Sequence, residues 1–173
     1  TVHSRMDWET VPAYNVYGRL EGQPGPVPGT ADRQWRDDPV VLSAYYDAVS
    51  VVPALARGAE NACSVAALLH LAAALAADPP AHPVTFLATS GHFLGLAGVN
   101  DFLYRHARQS GLFRARLAAP IDFRLFVGLD LSSHCDQVAA FSQGTFYTGW
   151  ATDAYGRSLV APYAQRFARY AAA

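Results

Sequence analysis

The sequence predicts an α/β fold, a three-layer αβα sandwich with a mostly parallel central sheet. Segments of strand length alternate with segments of helix length, which is typical of this class. Several of the strand segments are almost continuously apolar, as expected of strands covered on both faces. With 173 residues, 51% of them hydrophobic, the chain can build one substantial core but not two. We therefore expect residues 1–173 to form a single domain, which is a fragment of a longer protein.

The N-terminal part of the chain predicts strands separated by loops. Residues Val2 to Met6 are compatible with a short edge strand, and Ala13 to Leu20 form a β-rich segment. The Gly- and Pro-rich stretch Glu21 to Thr30 ends that segment as a surface loop. Pro39 to Tyr46 is an apolar run that predicts a buried strand. Ala48 to Ala59 is then expected to be a loop above the end of this strand.

A long helix and a second buried strand follow. Asn61 to Ala77 has apolar residues three and four positions apart, which predicts a helix. Its nearly apolar run is shorter than the roughly 18–20 residues of a membrane span, so a core helix is expected and no transmembrane segment. Pro83 to Thr89 predicts the next strand.

The C-terminal part predicts two further helices and one strand. Leu94 to Ser110 is expected to be helical, with Gly111 closing it. Ile121 to Leu131 predicts a third long strand, and Arg157 to Ala172 a final helix. Val138 to Trp150 is compatible with either a strand pair or a loop.

Charge and cysteine content limit the possible functions. The net charge is −1, which provides no electrostatic basis for binding nucleic acid or an anionic membrane. The two cysteines, Cys63 and Cys135, are too few to indicate a redox compartment. Both lie near predicted strand-to-helix corners, so a disulfide and two buried thiols remain alternatives.

Polar and aromatic side chains collect at predicted strand ends. In a parallel sheet, the ligand crevice lies at the carboxyl ends of the strands. The residues that fall at or just beyond such ends are Tyr45, Asp47, His92, Asp130 and His134. This placement predicts a crevice lined by these side chains.

Three separated sequence blocks carry a family resemblance. They are SAYYDAV (Ser43 to Val49), GAENACSV (Gly58 to Val65) and FLATSGHFLGLAG (Phe86 to Gly98). Their order and context resemble the co-catalytic zinc aminopeptidases, whose wider family includes glutaminyl cyclase, the transferrin receptor ectodomain and nicastrin. Those enzymes show A-H-x-D, then G-A-D-D-N-A-S-G, then G-E-E-x-G-L-x-G. The resemblance covers about two thirds of the family domain, from its N-terminal edge, and the last histidine ligand lies beyond this chain.

The resemblance assigns six positions to the family's metal site: Tyr45, Asp47, Glu60, His92, Phe93 and Asp130. Asp47 and Asp130 are the same residue type as in the family's motifs, and Glu60 replaces the bridging aspartate with a longer carboxylate. Tyr45 replaces a histidine ligand, and a neutral phenol is a poor zinc ligand at neutral pH. His92 and Phe93 replace the two glutamates that serve as general base and metal ligand.

These replacements imply a catalytically inactive domain with a binding or scaffolding role in a larger protein. No catalytic residue, cofactor or metal is then expected, and the partner is expected to be a protein or peptide. The aromatic segment Phe141 to Trp150 is a candidate contact surface, although packing under a loop explains it equally well. Relatives in the family imply an extracytoplasmic location.

The alternative is a metal-dependent aminopeptidase or amidohydrolase with a rebuilt site. Zinc would then be held by Glu60, His92 and Asp130, with His134 as a further ligand. A nucleophilic triad of Ser90, His92 and Asp130 is disfavoured, because the G-x-S-x-G pattern around the serine is missing. Each carboxylate also has a purely structural explanation: Asp47 capping a loop, and Glu60 in the first turn of a helix.

Overall fold

The computed structural model describes residues 9–23, 39–56, 58–106 and 125–134, together with positions 3, 5, 7 and 123. The chain divides into two compact units, residues 1–132 and 133–173. Almost all described residues belong to the first unit. The expectation of a single domain stays a prediction.

Four strands of the first unit form one sheet. They are β1 (Val16–Leu20), β2 (Val40–Tyr45), β3 (Val84–Thr89) and β4 (Leu125–Leu129). Their order across the sheet is β1-β3-β2-β4. The β2 strand pairs in parallel with β3 on one side and with β4 on the other, whereas β1 pairs antiparallel with β3. The described sheet is therefore mixed, with a parallel centre.

Two helices connect the parallel strands. Helix α1 (Gly58–Ala77) joins β2 to β3 and packs against β2, β3 and β4. Helix α2 (Ala97–His106) follows β3 and precedes β4 in the chain. The two crossovers run in opposite directions across the sheet, so the preference for right-handed crossovers places α1 and α2 on opposite faces. This arrangement confirms the predicted α/β fold class.

The core on the α2 face is built from three fully buried side chains. Phe102 of α2 packs against Val41 of β2 and Leu87 of β3, with Phe126 of β4 partly buried beside them. Alternate residues of a strand point to the same face, so Val41 and Tyr45 share this face of the sheet. The core thereby supports the strand from which Tyr45 emerges.

The elements agree with the sequence expectations, apart from their ends. Helix α1 begins at Gly58, three residues before the predicted start, with Glu60 in its first turn. Helix α2 begins at Ala97 because a tight loop occupies the preceding residues. Of the strand expected from Ile121 to Leu131, Leu125–Leu129 is observed as β4, and positions 121, 122 and 124 lie outside the described ranges.

Several expectations fall on residues outside the described ranges. They concern most of the edge strand Val2 to Met6, the segments Val138 to Trp150 and Arg157 to Ala172, and Cys135 with its possible disulfide.

Helix α1 also meets the length and composition of a membrane span. The stretch Glu60–Ala77 has a mean hydropathy of 1.4, which soluble core helices reach as well. The helix contacts three strands, but only 11% of this stretch is buried in the part of the chain that the structure describes. The expected core helix therefore stays a prediction.

Candidate functional site

The predicted site residues of β2 and β4 lie next to each other at the carboxyl ends of these strands. Tyr45 is the last residue of β2, and Asp130 directly follows β4. The two strands are parallel neighbours, so their carboxyl ends lie side by side. The Tyr45 hydroxyl donates a hydrogen bond to Oδ1 of Asp130 over 3.0 Å. Two of the predicted site residues are therefore in direct contact.

The loop between β3 and α2, which is closed by hydrogen bonds within its own backbone, contains the next two predicted site residues, His92 and Phe93. The Gly98 amide donates to the Ser90 carbonyl over 3.0 Å, and the Ala97 amide donates to the Gly91 carbonyl over 2.9 Å. Gly91 has a φ of 68°, in the left-handed region that glycine tolerates best. These bonds close residues 90–98 into a compact turn that holds His92 and Phe93 at its outer side.

A side chain from the N-terminal segment fastens this loop. Asn15, next to β1, donates from Nδ2 to the Gly98 carbonyl over 2.8 Å. Residue 98 must be small here, because a Cβ would lie 2.6 Å from Asn15 Oδ1 and even closer to the Ser90 carbonyl oxygen. Asn15 was not expected from the sequence, since nothing local indicates a contact with a residue 83 positions away.

Three aromatic rings form a cluster at the carboxyl end of β2 and in the loop after β3. The rings of Tyr45 and His92 are stacked, with centroids 3.9 Å apart and an angle of 26° between their planes. The Phe93 ring meets Tyr45 at 5.7 Å and His92 at 5.0 Å, edge to face in both cases. We call these three residues the ring cluster. It joins the three positions at which the resembling enzymes have a histidine and two glutamates.

Asp47 and Glu60, two carboxylates near the ring cluster, differ in their structural environments. Asp47 accepts the backbone amide of His92 through Oδ2 over 3.1 Å, which ties the β2 end to the loop after β3. This is a structural role of the kind that its position after a strand allows. Glu60 lies in the first turn of α1, where the helix dipole favours a negative charge.

A buried serine of α1 positions the chain next to Asp130. Ser64 is almost completely buried, and its Oγ accepts the backbone amide of Leu131 over 2.8 Å. The contact fixes the chain immediately after Asp130 against the helix. The sequence signal for this role is that Ser64 is a polar residue within an apolar run. That signal does not indicate Leu131 as its hydrogen-bond partner.

The environment of Tyr45 favours its neutral form. Partial burial, together with the hydrogen bond to Asp130, raises the pKa of the phenol from 10.0 to about 12. The negative charges of Asp130, Glu60 and Asp47 act in the same direction. Tyr45 is thus a hydrogen-bond donor, not a phenolate ligand, at neutral pH.

We expect Tyr45 to stay protonated in the range just above pH 10, where an unperturbed tyrosine ionises. The folded pKa lies above the unfolded one, so the resulting stabilisation is complete below pH 10 and is lost as the pH rises towards 12. The ultraviolet absorbance of tyrosinate should be titrated in the wild type and in Tyr45→Phe. Their difference isolates Tyr45 among the nine tyrosines.

An Asp130→Asn variant is the matched control for this titration. It removes one negative charge next to the phenol but leaves the burial unchanged, so the pKa should fall while staying above its ordinary value. A wild-type difference signal that is already fully developed near pH 10 would contradict this view of the site.

The rival constellations do not assemble in the described part of the chain. No hydrogen bond there joins Ser90 to His92 or His92 to Asp130, so the geometry of a nucleophilic triad is not present. Nor does any group of three or more His, Cys, Asp or Glu among the described residues lie close enough together to hold a metal ion. His134 falls in the second compact unit and is exposed.

Comparison with known families identifies the fold. A family model described as Peptidase family M28 matches residues 15–172, which is most of the chain. The searches of curated proteins and of solved structures returned no match. The family match agrees with the three sequence blocks and with a sheet whose parallel strands end at the crevice. The chain belongs to Peptidase family M28.

Proposed function

We propose that this M28 domain is not a hydrolase and that it acts as a binding or scaffolding module of a larger protein. The observation that carries the proposal is the ring cluster. Tyr45, His92 and Phe93 contact one another at the positions where the resembling zinc aminopeptidases have one histidine and two glutamates.

The donor set at the crevice argues against the zinc pair that the family implies. A zinc site needs imidazole, thiolate or carboxylate groups that converge on one point. Here Asp130 accepts the Tyr45 hydroxyl, and Asp47 accepts the His92 amide. The described residues contain no convergent group of metal-binding side chains. The residues present therefore do not fit the zinc pair.

The general base of hydrolysis has no replacement in the ring cluster. Phe93 carries no ionisable group, and the ring of His92 is stacked on Tyr45. A general base must reach the proton it removes within hydrogen-bond distance. Asp47 is already engaged with the loop backbone, which supports a structural role for this carboxylate.

Features expected of a binding surface are present at the same edge of the sheet. The compact loop 90–98 holds His92 and Phe93 in place through its own backbone bonds. Preorganisation of this kind lowers the entropy lost on binding. Phe93 is 42% exposed and Leu94 is 79% exposed, so the loop presents apolar surface to solvent. Neighbouring exposed apolar groups that form a patch are a feature of interaction sites.

The proposal predicts that the full chain, purified without chelator, contains far less than one zinc per molecule. It also predicts no hydrolysis of aminoacyl amides above the buffer rate, with or without added zinc. Zinc should be measured by elemental mass spectrometry, and an active zinc aminopeptidase should be run in parallel. One or more equivalents of zinc that disappear in Glu60→Gln and Asp130→Asn would overturn the proposal and favour a rebuilt metal site.

A variant that restores the family's metal-site residue types provides a further test. Tyr45→His, His92→Glu and Phe93→Glu together return the family's ligand types to the three substituted positions. If the loop and strand ends still have the family geometry, this variant should take up more zinc than the wild type. Circular dichroism should confirm that both proteins are folded.

A further inference from the structure

The ring cluster presents aromatic surface in a negative electrostatic environment. Its members lie at the end of β2 and on the loop after β3, and Phe93 is exposed to solvent. The negative faces of aromatic rings attract cations within about 6 Å of the ring centroid. Asp130 accepts a hydrogen bond from the Tyr45 hydroxyl. A phenol that donates to a carboxylate has a more electron-rich ring, which strengthens this attraction.

Two carboxylates contact residues of the ring cluster directly. Asp130 accepts a hydrogen bond from the Tyr45 hydroxyl over 3.0 Å, and Asp47 accepts one from the His92 backbone amide over 3.1 Å. The three arginines in the described ranges pair elsewhere: Arg5 with Asp7, Arg19 with Glu21, and Arg105 with Asp101. The ring cluster is therefore a place where a positively charged group of a ligand would be favoured.

We propose that the ring cluster binds an organic cation, namely the ammonium or guanidinium group of a basic side chain on a protein partner. This inference rests on the proposed binding function and specifies its ligand. The cation would lie against the exposed face of the rings, with Asp130 as the nearest carboxylate outside the loop.

The chemistry of the crevice favours an organic cation over a metal ion. A metal ion needs several oxygen or nitrogen donors at short distances, and the described residues offer no such group. A guanidinium or alkylammonium group is larger, and it stacks on ring faces without needing a complete donor shell. The rings that prevent metal coordination thus provide the surface that such a group requires.

The surroundings favour a protein over a membrane. Exposed apolar side chains on the loop after β2 and the loop after β3 lie at the same end of the sheet: Val49, Val51, Val52, Leu55 and Leu94. They would accept apolar neighbours of the basic residue in the partner. The crevice carboxylates would repel anionic lipid headgroups, so a lipid surface is the less suitable ligand.

The inference is tested with matched peptides. A capped peptide with one arginine between leucines is compared with the same peptide carrying citrulline, which has a similar shape but no charge. Binding to the full chain should be measured by calorimetry at up to millimolar peptide. The arginine peptide is expected to bind about tenfold more tightly, equivalent to ~1.4 kcal/mol. Raising the salt concentration should reduce the difference.

Two variants locate the binding at the ring cluster. Phe93→Ala removes an exposed ring and should abolish most of the preference for arginine without unfolding the domain. Tyr104→Ala removes a similarly exposed ring from α2 and should leave the preference intact. Circular dichroism should show that both variants are folded.

The possible outcomes separate the inference from the proposed function. Equal affinity for the two peptides would overturn cation recognition while leaving a metal-free binding module in place. Absence of binding by either peptide would also overturn the inference, and the zinc measurement would then judge the proposed function independently. An arginine preference that is lost equally in Phe93→Ala and Tyr104→Ala would place recognition elsewhere and contradict the assignment.

Discussion

A Phe102→Ala variant is expected to lower the free energy of unfolding by about 3–5 kcal/mol. Phe102 is 1% exposed and packs against Val41 and Leu87, which are completely buried. The substitution removes the apolar contacts and leaves a cavity between α2 and the sheet, which neighbouring side chains can only partly fill. Urea denaturation followed by circular dichroism measures the effect.

The control for this variant lies on the same helix. Tyr104 is 51% exposed, so Tyr104→Ala should change the free energy of unfolding by no more than about 0.5 kcal/mol. Similar losses in the two variants would mean that helix propensity, and not core packing, accounts for the effect. That result would contradict the position of α2 on the sheet.

A Gly98→Ala variant is expected to lose about 3 kcal/mol, at the upper end of the range for overpacking. The new Cβ would overlap the Ser90 carbonyl oxygen and would lie 2.6 Å from Asn15 Oδ1. Backbone atoms cannot move aside as a flexible side chain can, so the loop must open. The hydrogen bond between the Gly98 amide and the Ser90 carbonyl would then be weakened as well.

Gly18→Ala provides the matched control, because no atom lies within 4 Å of a Cβ at that position of β1. It should leave the free energy of unfolding within about 0.5 kcal/mol of the wild type. The Gly98→Ala variant should also displace His92 and Phe93 and so weaken any ligand binding at the ring cluster. Unchanged stability in both variants would show that the loop is not closed as described.

The difference between the two glycines bears on what can be predicted from a sequence. Gly98 is the last glycine of the third motif block, whereas Gly18 lies between Tyr17 and Arg19 in β1 and belongs to no motif. Gly98 is required only because the loop returns to Ser90 and because Asn15 approaches from a distant segment. The motif marks the position of Gly98, but the reason that a glycine is needed there is three-dimensional proximity, which the motif does not reveal.

Element positions, by contrast, were largely predictable. The apolar runs that became β2 and β3 are strong signals because both faces of a central parallel strand are covered. Helix α1 was recognisable from its spacing of apolar residues, but it begins at Gly58, before the end of the loop that was expected to run to Ala59. Element ends depend on capping contacts with the rest of the fold, and these are weakly encoded locally.

The sequence by itself predicted the fold class, the family and the six positions that the resemblance assigns to the family's metal site. These follow from hydrophobic periodicity and from three motif blocks, which are local features of the chain. Only the tertiary structure decided how Tyr45, His92 and Phe93 are arranged, stacked on one another with the Tyr45 hydroxyl directed to Asp130. The physical reason is that ring contacts and hydrogen bonds between strand ends depend on sheet register and loop closure, and both are set by packing across the whole domain.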